Sequence, residues 1–169
     1  MNLYARIIGV GCYALSLLII MGIIQHQSRK EAKLTLSVYL IALVLMGYFY
    51  KPNISADLYR YVKNMHYYSL FSFADIQPIA IKTTHPGAVL YLYIIGQLGN
   101  DSLLPAISAF IDLILVFSVI KCEAARNKFT GVEICDALFF LMSTGILMGM
   151  ISGIRNTMAY CIILWCLYR

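Results

Sequence analysis

Apolar residues in this chain fall into several runs of roughly 17 to 20, the length an α-helix needs to cross a hydrocarbon core of about 30 Å. This feature constrains the fold most, because backbone polar groups inside a bilayer must be satisfied within the segment that carries them. Hydrophobic residues make up 61% of the sequence and charged residues 12%, far from the balance of a soluble domain. The sequence predicts an all-α, polytopic transmembrane helix bundle.

The first span runs from about Ile7 to Ile24. Arg6 precedes it as in a signal peptide, but the run is too long and no small-residue cleavage site follows. The linker QHQSRKEAK carries Arg29, Lys30 and Lys33 and is placed in the cytoplasm by the positive-inside rule. A second span, about Leu34 to Tyr50, ends in Tyr48, Phe49 and Tyr50, an aromatic interface belt. From Lys51 to Pro86 follows the one long polar segment, whose centre DLYRYVKNMHYYSLF has the period of an amphipathic helix and is expected to lie on the outer membrane surface.

The apolar stretch GAVLYLYIIGQLG, Gly87 to Gly99, is shorter than a full crossing and breaks just before LLPAISAFIDLILVFSVI. It is either a short span or a re-entrant segment. The following loop KCEAARNKFTGVE holds Lys121, Arg126 and Lys128, so the positive-inside rule puts it in the cytoplasm, which favours the re-entrant form of Gly87–Gly99. A further span from about Ile134 to Ile151 then returns outward, and SGIR leads into a last helix ending at Arg169. The whole chain, 1–169, reads as a single transmembrane domain.

The net charge of +5 sits in short clusters between apolar runs, a topology signal and not a nucleic-acid surface. Cys12, Cys122, Cys135, Cys161 and Cys166 form no CxxC pair and are expected to pack as small apolar residues. Neither a nucleotide-binding fingerprint nor a metal-ligand cluster is present, so no cofactor and no metal are expected.

Several polar residues stand out against this background. Arg155 opens an apolar helix, where a cation opposes the macrodipole and is suited to meeting an anion; the plainer reading is a snorkelling arginine. Asp57, Arg60, Tyr61 and Asn64 are spaced i, i+3, i+4 and i+7 and share one helix stripe, either a site whose carboxylate activates a hydroxyl or an ion pair on a solvated face. His85, before Pro86, is a candidate proton carrier or phosphate partner; the plainer reading, and the one the sequence favours, is a loop histidine without function. Asp112 lies within a span, where a charge is costly and faces the protein interior or is neutral.

Two stretches together, SADLYRYVKNM and SGIRNTMAYCIILW, resemble the EpsG/Wzy-type polysaccharide polymerases. In that family an Asp followed by aromatic positions lies in the first long outer loop, an acidic-Pro-apolar stretch follows, and an Arg-polar-x-x-Ala motif opens a later helix. Here Asp57 with Tyr59 and Tyr61, then His85 and Pro86, then Arg155, Asn156 and Ala159 occupy those places. His85 departs from the acidic residue often found before that proline.

The resemblance implies glycosyl transfer between undecaprenyl-diphosphate-linked oligosaccharides at the outer face of the bacterial inner membrane, for exopolysaccharide, capsule or O-antigen. It implies catalytic roles for Asp57 and Arg155, and substrate contacts from Arg60, Tyr61, Asn64, His85 and Asn156. The lipid bilayer and other polysaccharide-assembly proteins are the implied partners. Members of the family are about twice as long, so the chain is expected to be the N-terminal part of a longer polymerase fold. Alternatives are a truncated or non-catalytic membrane subunit and a transporter component for lipid-linked glycans.

Overall fold

The computed structural model describes residues 29–51, 54, 56–127 and 153–168, with the isolated helical positions 15, 16, 19 and 22. The expected spans Ile7–Ile24, apart from those four positions, and Ile134–Ile151 lie outside the described residues. All regular structure among the described residues is helical. The elements are α1 (Arg29–Phe49), α2 (Asp57–Ser69), α3 (Phe73–Lys82), α4 (Pro86–Gly96), α5 (Leu103–Asn127) and α6 (Ile154–Tyr168).

Local chemistry accounts for most of the boundaries. Asp57 stands in the first turn of α2, where a carboxylate complements the helix dipole. Ser72 caps α3: its Oγ accepts from the Asp75 N–H at 3.3 Å and donates to the Asp75 carboxylate at 2.6 Å, supplying one orphan donor of the first turn. Pro86 starts α4 at the position where a missing N–H costs nothing. Gly99, with φ +67°, lets the chain reverse into α5 through a left-handed conformation that suits glycine.

α3 is an element the periodicity did not reveal. FADIQPIAIK contains Pro78, which reads as a breaker, yet Ser72 initiates the helix and Ile76 and Ala80, one turn apart, bury together against Val89 of α4.

α5 is the axis of the bundle, flanked by α1 and α6. Gly47 near the end of α1 faces the start of α5, where a Cβ would stand 3.2 Å from the Pro105 carbonyl oxygen. Tyr39 and Leu43, earlier in α1, pack among Ala109, Leu113, Val116 and Ile120 further along α5, so the two helices are antiparallel. α6 runs parallel to α5. Ile154 joins Leu104 in one cluster, and at the other end the Cys122 thiol donates to the Tyr168 carbonyl at 3.5 Å.

Both ends of α4 lie where α5 and α6 begin. Gly87 and Ala88 share a cleft with Ile154 and Arg155, while Leu92 and Ile95 pack with Leu104 and Ile154. α4 therefore does not connect the two ends of the bundle. α2 lies on it closely enough that a Cβ on Gly96 would come within 2.9 Å of the Met65 carbonyl oxygen. A small residue at this position allows the close backbone approach.

Among the described residues one helical stretch, the 21 residues Leu103–Glu123, is long and apolar enough to cross a membrane. Leu34–Phe49 and Pro86–Gly96 are shorter apolar stretches. The expected second span, about Leu34 to Tyr50, is helical as part of α1 but its apolar stretch is shorter than a crossing. Leu34, Val38, Ile41, Leu45 and Phe49 form an exposed apolar stripe along it.

Candidate functional site

A cleft of about 330 Å³ opens between α2, α4 and α6, within the size range of small-ligand sites. Its wall is mostly apolar, with Leu92, Met158 and Ile162 among the lining residues, and its polar side chains are Tyr61, His85, Tyr91 and Arg155. On α6 the cleft residues Arg155, Met158, Ala159 and Ile162 recur at i, i+3, i+4 and i+7, one face of a helix. Ile154 and Leu92 are buried beneath this face.

Arg155 is the second residue of α6. The Gly153 carbonyl accepts the N–H groups of Asn156 at 3.1 Å and Thr157 at 3.2 Å, which fixes the first turn and the exit direction of the Arg155 side chain. Its guanidinium is exposed and makes no ion pair among the described residues. A cation at a helix start adds to the positive end of the dipole, so the mouth of the cleft favours an anion.

His85 is the N-cap of α4, with extended φ −137° and no side-chain capping bond. The following Pro86 disfavours helical backbone at this position, which keeps His85 outside the helix. Its backbone carbonyl accepts from Ala88 at 3.1 Å and Val89 at 3.3 Å, and its imidazole has no partner among the described residues. His66 differs. Its Nε2 lies 2.9 Å from the Asp101 carboxylate, tying α2 to the turn before α5.

Tyr91 is fixed by a chain of two bonds whose direction follows from chemistry. Ser108 Oγ lies 2.7 Å from the Leu104 carbonyl, an oxygen that only accepts, so the serine proton is committed there. The 2.7 Å contact between Tyr91 Oη and Ser108 Oγ therefore uses the tyrosine proton. The ring of Tyr91 is held against α5.

The structure brings Tyr61, His85 and Arg155 to one cleft. Asp57, Arg60, Asn64 and Asn156 do not line it. Asp57 and Arg60 form an ion pair at 2.8 Å with side chains 58% and 74% exposed, and Asn64 and Asn156 are exposed beside their helices. Tyr91, Met158 and Ala159 line the cleft without having been read as contact residues, although the helical period from Arg155 places Ala159 on its face.

Asp112 is 0% exposed and faces the interior between α5 and α6. The Cys161 thiol of α6 is the group set against it, and neither carboxyl oxygen has a hydrogen bond of regular geometry among the described residues. Cys161 is itself buried. Among the described residues no three metal-ligating side chains come together.

A family model for the EpsG family matches residues 32–169. No curated protein and no solved structure matches the chain.

Proposed function

The chain belongs to the EpsG family, and on that premise we propose that it is a membrane polysaccharide polymerase, or the N-terminal portion of one. In this reading it transfers a glycan from one undecaprenyl-diphosphate carrier onto another lipid-linked repeat unit, at the outer face of the bacterial inner membrane. The product is an exopolysaccharide, a capsule or an O-antigen. The chain crosses the bilayer several times, with α2 and α3 on its outer surface and α4 entering and leaving on one side.

One observation carries the reading: an apolar cleft lined by an arginine that makes no ion pair among the described residues. A ligand that is hydrocarbon at one end and a diphosphate at the other matches both halves of that surface. In glycosyl transfer the diphosphate leaves with the bonding electrons, and a guanidinium placed to meet it stabilises the charge that develops. Removal of one such donor costs on the order of 10²- to 10³-fold in rate. The exposed apolar stripe of α1 suits contact with lipid chains or with further helices.

The test is Arg155→Ala in cells lacking the native polymerase, with polymer length read on a gel and protein abundance by immunoblot. Polymer should be lost with abundance unchanged, because an exposed cation at a helix start contributes nothing to the core. Normal polymer from the alanine variant removes the catalytic role. Loss of polymer together with loss of protein points to a structural role for Arg155.

A further inference from the structure

Glycosyl transfer needs a group that takes the proton from the attacking hydroxyl, and among the described residues the cleft contains no carboxylate. Asp57 is engaged by Arg60 at 2.8 Å, Asp75 by the Ser72 hydroxyl at 2.6 Å, and Asp101 by His66 at 2.9 Å. Asp112 is sealed between α5 and α6 at 0% exposure. Each of these is outside the cleft lining.

The remaining polar side chains of the cleft separate by elementary acid–base chemistry. Arg155 from α6 is a permanent cation with no acceptor capacity. Tyr91 from α4 has its proton committed to Ser108, and Tyr61 from α2 is a phenol, a poor base while it carries its proton. A neutral imidazole has one nitrogen with a free lone pair. His85 is the one cleft residue of this kind among those described, and neither a capping bond nor an ion pair occupies its ring.

We propose that His85 is the proton acceptor that activates the acceptor hydroxyl in this cleft. The assignment rests on the polymerase reading given above. As the hydroxyl oxygen bonds to the anomeric carbon of the donor glycan, the bond from that carbon to the diphosphate oxygen breaks and its electron pair leaves with the lipid diphosphate. The hydroxyl proton passes to an imidazole nitrogen of His85 and from there to water. Arg155, which lines the same cleft from α6, meets the departing diphosphate. One side chain handles the proton and the other the charge.

The sign of the pH response separates this role from the alternative in which a histidine cation grips phosphate. A base must be unprotonated to work, so activity falls toward acid pH. A phosphate-gripping cation must be protonated, so activity would instead fall as pH rises.

The experiment uses the full protein reconstituted in liposomes, with lipid-linked repeat unit extracted from cells that lack it, and initial rates between pH 4.5 and about 9, a window chosen to bracket imidazole and carboxylate titration. The wild type should lose rate on the acid side. His85→Ala should lose roughly 10²- to 10⁴-fold at all pH values, the usual worth of a positioned base. His85→Glu should retain part of the rate and move the acid limb to lower pH, because a carboxylate is a weaker base than an imidazole.

A wild-type rate in His85→Ala overturns the assignment. So does an active His85→Lys, or a wild-type profile that falls with rising pH. Absence of any polymer from the wild-type protein overturns the polymerase reading itself and takes the His85 assignment with it. The imidazole is exposed and makes no bond among the described residues, and detergent-extracted abundance of each variant checks that folding does not depend on it.

Discussion

The polar stripe of α2 and the mouth of the cleft both place an arginine near a helix start, and they use it in opposite ways. Arg60 has a carboxylate one turn away on its own helix and closes on it at 2.8 Å, with both side chains largely in solvent. Arg155 has no carboxylate within reach on α6, whose first turn carries no acidic residue, and it lines an apolar cavity. A charge answered locally is spent on its own helix. One left without an answer beside a cavity is available to a ligand.

The sharpest way to break this comparison is to make the same conservative change at both positions. Arg155→Lys should cost more than about tenfold in polymerisation rate, because lysine meets a diphosphate as a point charge and loses the planar, bidentate fork. Arg60→Lys should cost less than about twofold, since an exposed pair of this kind is worth little whichever cation makes it. Equal losses at the two positions, measured with purified protein at matched abundance, would erase the distinction between them.

A second difference separates the two faces of α4. Gly96 packs where α2 crosses, and a Cβ there would meet the Met65 carbonyl at 2.9 Å and the Ser69 Cβ at 3.0 Å. Both neighbours are held by the backbone of α2, so the strain has no flexible side chain to absorb it. Gly87, at the cleft end, has nothing within 4 Å of its added Cβ. Gly96→Ala should destabilise by about 1–3 kcal/mol, the usual cost of overpacking, and Gly87→Ala should leave stability within about 0.5 kcal/mol. Midpoints of thermal unfolding in detergent compare them. A drop at Gly87 that matches the one at Gly96 would show that α2 and α4 are not seated on each other as described.

What the sequence made legible follows the same division. Arg155 before an apolar run and His85 before Pro86 were visible because each is a polar residue at a punctuation point of an apolar chain, and such residues must have a reason to be there. The stripe Asp57, Arg60, Tyr61 and Asn64 was also visible as a stripe. Its division was not, since Tyr61 turns to the cleft while Asp57 and Arg60 pair with each other. Helical period assigns residues to a face, and only the neighbouring helix decides which edge of that face it covers.

α3 escaped notice for a different reason. Pro78 lies inside it, and the signal that starts it is a single serine, whose value as a cap depends on the conformation it adopts. Tyr91 and Ser108 were hidden as well, because a hydrogen bond across 17 positions leaves no local pattern. Asp112 could be placed in the interior from its position in an apolar run, whereas the Cys161 thiol that faces it comes from another helix.

The smallest expected effect belongs to the Asp57–Arg60 pair, and it is the one that decides how far the comparison reaches. Each side chain is more than half exposed, so the attraction acts across water and is screened by salt within about 8–10 Å. A double-mutant cycle built from Asp57→Asn, Arg60→Gln and the double variant should give a coupling of about 0.2–1 kcal/mol in stability. Raising the salt from low to about 1 M should remove most of it. The rate of polymerisation should change by less than about twofold in Asp57→Asn, and its acid limb should stay where the wild type has it, because the carboxylate stands outside the cleft lining. A large loss of rate at normal abundance, with the acid limb displaced, would return the proton-accepting role to Asp57 and require α2 to rotate its stripe toward the cleft when substrate binds. Unchanged kinetics with a measurable, salt-sensitive coupling would leave the pair as an ornament of helix α2 and the cleft chemistry to the two residues that face it.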